Sequence, residues 1–139
     1  MLFRSKVFSL NVGDRRPLGV GAGGMAILCN LRSEEAEAIA HKIAALLPRY
    51  GNLNEKLLLS LIRRSRERGY VLHKVSGLGG GKAVGYPIRN AAGEPFAALS
   101  IAAISSRMGA ARCVKLAVHE FEFTISFSIG STSHAGNTP

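Results

Sequence analysis

The fold class is decided by one stretch, Val84-Gly-Tyr-Pro-Ile-Arg-Asn-Ala-Ala-Gly-Glu-Pro-Phe-Ala-Ala-Leu-Ser-Ile101. Turn residues at 90–93 separate two alternating runs, which predicts a β-hairpin with strands Lys82 to Ile88 and Pro95 to Ile104. Pro87 inside the first strand indicates a bulge or an edge. Side chains alternate across a sheet, and the small ones fall together on one side of each strand. If the two small faces coincide, they form a hollow floor for a ligand or a place where helices approach closely. These small residues are Ala83, Gly85, Ala98, Ser100 and Ala102.

The chain before the hairpin is mostly helical in pattern. Apolar residues at helical spacing, cap residues and chain-breaking residues set the expected boundaries. The predicted elements are a strand at 4–11, a helix from Met25 to Leu31, a helix capped by Ser33 and ended by Pro48, a helix from Leu53 to Arg68 stopped by Gly69, and a strand from Tyr70 to Val75. Residues 120–129 fit a strand and a helical stripe equally well, so both alternatives stay open. The polar tail 131–139 is expected to be mobile.

The composition is that of one globular domain, with 139 residues, 47% hydrophobic and 19% charged. No apolar run is long enough to span a membrane, and the N-terminus does not resemble a secretory signal. Cys29 and Cys113 lack a C-x-x-C partner, so we expect free buried thiols and a cytoplasmic protein. The net charge of +9 and the arginines between Arg63 and Arg68 keep open a second hypothesis, a basic nucleic-acid-binding protein.

The glycine run Gly19-Val-Gly-Ala-Gly-Gly24 matches the dinucleotide fingerprint G-x-G-x-x-G literally. That fingerprint requires a βαβ unit, and here two predicted helices follow before any strand. A nucleotide-binding enzyme is therefore kept only as a third hypothesis. The run is instead interpreted as a tight turn, or as a helix start whose N–H groups attract an anion such as a carboxylate. His119-Glu120 lacks the second histidine of a zinc-protease motif, because Phe123 stands there. No catalytic residues, metal site or cofactor are expected.

Several stretches occur in the order and spacing of one family: Val12-Gly-Asp-Arg-Arg-Pro-Leu18, the glycine turn into Met25-Ala-Ile-Leu28, Arg68-Gly-Tyr70, Ala83-Val-Gly-Tyr-Pro-Ile88, Glu94-Pro-Phe-Ala-Ala-Leu-Ser-Ile101 and Ile104-Ser-Ser-Arg107. Over roughly residues 7–130 the chain resembles the effector-binding domain of isocitrate-lyase-regulator (IclR) type transcriptional regulators. The resemblance implies an α/β (α+β) fold with a GAF-like curved antiparallel sheet flanked by helices. Residues 1–130 would form the ligand-sensing domain.

The same resemblance implies the site and the partners. A small organic acid would place its carboxylate at Ala22, Gly23 and Gly24, and its other contacts would be Phe8, His73, Ala83, Ser100 and Ala102. His73 stands where the family can have an acid, and Ala102 where it can have a hydroxyl, which favours a less polar or an anionic ligand. The regulator would be a homodimer or tetramer, and binding of the acid would change how it binds DNA.

The resemblance also implies an N-terminally truncated domain. The family places a winged helix-turn-helix domain, a linker helix and the first strands of the sheet ahead of the part that Val7 begins. The chain is expected to lack these parts, to contact DNA only through that missing domain, and to expose a sheet edge that dimerisation could cover.

Overall fold

The computed structural model describes residues 12–75 and 80–115. Helices come first and an antiparallel sheet follows, so the expected α+β class with a sheet flanked by helices is confirmed. The predicted strand at 4–11, the ambiguous residues 120–129 and the tail 131–139 lie outside the described residues. The elements are α1 (Gly21–Cys29), α2 (Ser33–Ile43), a 3-10 turn (Leu47–Tyr50), α3 (Glu55–Arg68), β1 (Val71–Val75), β2 (Gly81–Arg89), β3 (Pro95–Ile104), a second 3-10 turn (Ser105–Arg107) and a helical segment at 110–115.

The described sheet has the strand order β1-β2-β3, and both neighbouring pairs are antiparallel. The register sets Ala83 opposite Ala102 and Gly85 opposite Ser100, so the small residues of the hairpin share one face. The two small faces therefore coincide, which the sequence pattern had left as a condition. β1 extends the same face, because its residues lie opposite those of β2. We call this surface the small-residue face; it comprises Val71, His73, Ala83, Gly85, Pro87, Ala98, Ser100 and Ala102.

The hairpin follows its sequence pattern closely. The turn is closed by the Gly93 N–H, which donates to the Asn90 carbonyl at 2.9 Å, and by the Glu94 N–H, which donates to Asn90 Oδ1 at 2.9 Å. The register shifts between Ile88 and Arg89, directly after Pro87, as the proline indicated.

The first helices differ from their predicted bounds. α1 begins at Gly21, four residues before the predicted start at Met25. The prediction placed the start after the glycine run because glycine is a poor helix former. Tertiary packing overrides that propensity here, and Gly19 and Gly21 have φ of 94° and 80°, which turn the chain into the helix. Ser33 is the first residue of α2 and not its N-cap, because the cap position belongs to Arg32.

The later helix ends have local causes. α2 stops at Ile43, and Pro48 lies in the following 3-10 turn instead of ending the helix. α3 begins at Glu55 because the Asn54 side chain accepts a hydrogen bond from the Leu57 N–H at 2.9 Å. It ends as predicted at Gly69, which has φ of 83° in the left-handed region.

The main core lies between the helices and the small-residue face. Buried residues of α1 pack there against α2, α3 and the sheet. A second cluster of Val84, Met108 and Cys113 lies apart from it. Both cysteines are free and buried, which confirms that prediction. The buried side chains of the main core include Ala22, Met25, Ala26, Leu28, Cys29, Ala36, Ala40, Leu47, Leu58, Ile62, Val71 and Ala83.

α1 touches the sheet most closely at Gly85. A Cβ atom built on Gly85 would lie only 2.7 Å from the Ala22 carbonyl carbon and 3.3 Å from the Ala22 Cβ. The neighbour is therefore mainly backbone, which cannot rotate away as a side chain can. Gly85 thus sets the depth at which α1 lies on the sheet.

We expect Gly85→Ala to destabilise the fold by about 3 kcal/mol, because the added methyl group forces α1 off the sheet. Urea denaturation measures the change in the free energy of unfolding. Gly109→Ala is the matched control, since a Cβ atom there meets nothing within 4 Å. Equal stability of the two variants would contradict the close packing.

Candidate ligand-binding site

The direction of α1 fixes where its N-terminus points. Near the start of the helix, a Cβ atom on Gly23 would lie 3.8 Å from the Ala98 Cβ and 3.9 Å from the Ser100 Oγ. Just after its end, Asn30 Oδ1 accepts a hydrogen bond from Arg89 Nη2 at 2.5 Å. Because β3 runs from Pro95, opposite Arg89, to Ile104, the helix runs along it in the reverse sense. Its N-terminus therefore points towards the row of Ala83 and Ala102.

Among the described residues, the first turn of α1 lacks the usual local partners for its N–H groups. Helical geometry leaves the first N–H groups without intrahelical acceptors. The cap residue Val20 makes no side-chain hydrogen bond to the helix, and the first turn carries no acidic residue. The positive end of the helix dipole is thus available to an anion. Ala22, Gly23 and Gly24 all lie in this turn, as the predicted site requires.

The floor of the candidate site is the part of the small-residue face beyond Gly85. Ala83 is buried there, Ser100 and Ala102 are exposed, and His73 lies opposite Ala83 on the neighbouring strand. The structure therefore brings these four predicted residues to one face. α1 covers the small-residue face at Gly85, and Ala83 is itself buried in the main core, so the accessible part of the next row is at Ala102. Phe8, the remaining predicted residue, lies outside the described residues.

The sequence pattern did not single out one exposed apolar residue at the end of β3. Ile104 is 49% exposed and continues the period-two alternation of Ala98, Ser100 and Ala102. Extending that alternation to the end of the strand would have found it. Ile104, which lies opposite Gly81, adds apolar surface beyond Ala102.

His73 is half-buried, and burial lowers its pKa from the ordinary value of about 6.5. The imidazole is therefore neutral at pH 7. A neutral imidazole donates one hydrogen bond and accepts one, so His73 offers a polar contact without a charge.

The opposite end of α1 is held by cations. Arg66 on α3 donates from Nε to the Cys29 carbonyl at 2.9 Å, from Nη2 to the Leu31 carbonyl at 2.8 Å, and from Nη1 to Ser33 Oγ at 2.8 Å. Ser33, the first residue of α2, thus uses its hydroxyl as an acceptor for Arg66. Burial raises the pKa of the Cys29 thiol, which stays protonated and is a weak nucleophile.

The arginines behind the nucleic-acid hypothesis are only partly available. Arg66 is committed to α1, and the Arg68 guanidinium lies over the Tyr70 ring at 5.5 Å from its centroid. Arg63 and Arg64 are exposed. Arg66 and Arg68 therefore have structural contacts, and the nucleic-acid hypothesis depends on the exposed Arg63 and Arg64.

Two cavities lie elsewhere on the molecule. A groove of about 1010 Å³ runs between α2 and α3, with Ala36, Leu59 and Arg63 among its lining residues. A smaller cavity of about 210 Å³ lies at the C-terminal end of α1, between Cys29 and Arg89. In residues 12–75 and 80–115, no three His, Cys, Asp or Glu side chains group closely enough to hold a metal ion. No helix within this part of the chain has the length and apolar character needed to cross a membrane.

A family model described as "Bacterial transcriptional regulator IclR C-terminal" matches residues 4–121. The chain therefore belongs to this family of C-terminal domains of bacterial transcriptional regulators. A search of curated proteins found no significant match.

Solved structures agree in fold. The Agobacterium tumefaciens repressor BlcR superposes with a TM-score of 0.70 at 19% identity, covering 86% of this chain and 49% of its own. The C-terminal domain of the E. coli regulator KdgR gives a TM-score of 0.69 at 21% identity, covering 84% of this chain and 72% of the KdgR chain. The inducer-binding domain of PobR from Acinetobacter gives a TM-score of 0.66 at 21% identity, covering 85% of this chain and 69% of the PobR chain. That structure is a double mutant in complex with 3-hydroxybenzoic acid. The chain thus spans about half the length of the BlcR chain it matches.

We expect the stability of the protein to fall as the pH is lowered from about 6.5 through the folded-state pKa of His73. In that window the unfolded state binds more protons, because the folded-state pKa is the lower one. Urea denaturation between pH 5 and pH 7.5 measures this slope, and His73→Gln should flatten it. A His73 ring that titrates at its ordinary value by NMR would contradict the expectation.

Proposed function

We propose that this chain is the ligand-sensing domain of an IclR-type transcriptional regulator and that it binds a small organic acid. The observation that carries the proposal is the uncapped N-terminus of α1, which points along a floor of small side chains. An anion at this position would gain both the N–H groups and the helix dipole. The PobR domain, which shares the fold, is in complex with an organic acid.

The shape of the site suggests the class of ligand. The carboxylate would accept hydrogen bonds from the first turn of α1, at Ala22, Gly23 and Gly24. The body of the ligand would lie over the exposed Ala102, with the buried Ala83 at the base of the floor. Because these surfaces are apolar, we favour an aromatic or short aliphatic acid.

Polar groups at the edge of the floor would refine that choice. The Ser100 hydroxyl can donate and accept hydrogen bonds, and neutral His73 can do the same across the sheet. A second polar group on the ligand, such as a hydroxyl, would reach one of them. Phe8 would lie over the pocket, as the family resemblance implies.

The wider role follows from the family. The domain would act in the cytoplasm, without catalysis or cofactor, as a homodimer or tetramer. Ligand binding would alter how the regulator holds operator DNA through a winged-helix domain.

Isothermal titration calorimetry against a panel of carboxylic acids tests the proposal, with the matching primary amides as controls. We expect at least one acid to bind well above its amide, because only the charged form profits from the helix dipole. A folded sample that binds no acid in preference to its amide would contradict the proposed function.

Ala102→Leu should abolish binding of that acid and leave the melting temperature nearly unchanged, because position 102 is exposed and its side chain projects onto the floor. Ala97→Leu is the matched control, since Ala97 lies on the other face of the same strand. Calorimetry and thermal denaturation separate the two effects. Equal binding by both variants would place the ligand elsewhere.

The nucleic-acid hypothesis rests on the net charge of +9 and on the exposed Arg63 and Arg64. A gel-shift assay with random-sequence DNA at two salt concentrations tests it for this chain. Salt-sensitive binding that is lost in the Arg63→Gln, Arg64→Gln double variant would support it. Under the sensing proposal we expect no such binding.

A further inference from the structure

Arg66 lies at the opposite end of α1 from the candidate site, on a different helix. Its guanidinium donates to the carbonyls of Cys29 and Leu31, at the end of α1 and just beyond it. The last carbonyls of a helix lack intrahelical donors, and their partial negative charge attracts a cation. α1 has no basic residue in its own last turn, so a side chain from α3 supplies that cation.

The same side chain joins three helices. Its third hydrogen bond goes to Ser33 Oγ, at the first residue of α2. The planar guanidinium group of Arg66, a rigid fork of N–H donors, therefore fixes the end of α1 relative to α2 and α3. The hairpin adds a further tie, because Arg89 donates both to Asn30 Oδ1 and to the Gly93 carbonyl, the latter at 2.7 Å.

The two ends of α1 thus differ in their side-chain contacts. The C-terminal end is held by arginines from α3 and from the hairpin, whereas the N-terminal end has no side-chain cap and no acid. α1 has nine residues and is about 13 Å long, so fixing one end sets the position of the other. Gly85 provides the pivot between them, because the helix backbone lies directly against it.

We propose that Arg66 is a positioning residue for the anion site at Gly23 and Gly24. It acts through the helix that it holds and does not touch the ligand. This inference rests on the proposed function, because it assigns Arg66 to the same site. Without the fork, α1 would settle at a range of angles about Gly85, and its first turn would no longer be fixed over the floor.

The test uses the whole 139-residue chain with three variants. Arg66→Gln removes the fork and the charge, and Arg66→Lys keeps the charge without the fork. Arg63→Gln is the control, because Arg63 is an exposed arginine one turn earlier on the same helix. All samples are compared below their melting temperatures, and Arg66→Lys serves if Arg66→Gln does not fold.

The first measurement needs no ligand. NMR records the backbone amide signals of Gly23 and Gly24, which lie about a helix length away from the substitution. We expect these signals to shift or broaden in Arg66→Gln, to move less in Arg66→Lys, and to stay in place in Arg63→Gln. Unchanged signals in Arg66→Gln, or equal changes in Arg63→Gln, would overturn the proposal.

The second measurement is a titration with benzoate and with benzamide. We expect benzoate affinity to fall about fivefold in Arg66→Gln, the size of one helix-terminus interaction, while benzamide affinity changes little. Equal weakening of both probes would show a general structural effect and overturn the positioning role. Failure of the unchanged chain to bind benzoate, together with every other acid, would overturn the proposed function instead, and the ligand-free signals would still decide the role of Arg66.

Discussion

The contact between the Ala22 backbone and Gly85 is the constraint on which the rest of the structure depends. It lets α1 lie directly on the sheet, without the layer of side chains that usually separates a helix from a strand. The main core lies around this contact, because the α1 residues Met25, Ala26 and Leu28 are buried where the helix lies on the sheet. The same contact places the start of the helix beside the exposed part of the small-residue face. Stability and the candidate site thus follow from one close approach.

A helix in this position has two unequal ends. Its C-terminal end is tied to α3 by Arg66, which donates to the Cys29 backbone carbonyl, and to the hairpin by Arg89, which donates to the Asn30 side-chain oxygen. Its N-terminal end is left without a side-chain cap. A folded protein gains stability by capping a helix start, and the cost of leaving it open is about 1 kcal/mol. Such a cost is typical of a functional site, where a ligand supplies the missing partner.

The sequence predicted the sheet better than the helices, for physical reasons. The hairpin has local signals, since Asn90 and Gly93 define its turn and alternation defines its faces. The bounds of β3 and the end of α3 at Gly69 were therefore correct. The start of α1 was placed too late, because glycines oppose helix formation unless tertiary packing requires them. Nothing local reveals that Gly85 lies beneath Ala22, because the two residues are distant in sequence.

The residues of the candidate site were named from the sequence, but their arrangement was not. The glycine run indicated an anion-binding helix start, and the alternation of Ala98, Ser100 and Ala102 indicated a floor. Their proximity depends on the direction of α1 over β3, which no local pattern encodes. The contacts of Arg66 were also missed, because its position among four arginines suggested a basic surface. Its partners are 33 to 37 residues away, and only the folded chain shows them.

The central claim is that a carboxylate binds at the start of α1. A crystal structure of the protein with a bound organic acid tests it most directly. The account predicts that the carboxylate oxygens lie within about 3 Å of the amide nitrogens of the first turn, at Gly23 or Gly24, with the body of the acid over Ala102. An acid bound instead in the groove between α2 and α3, or in the cavity near Cys29, would contradict it.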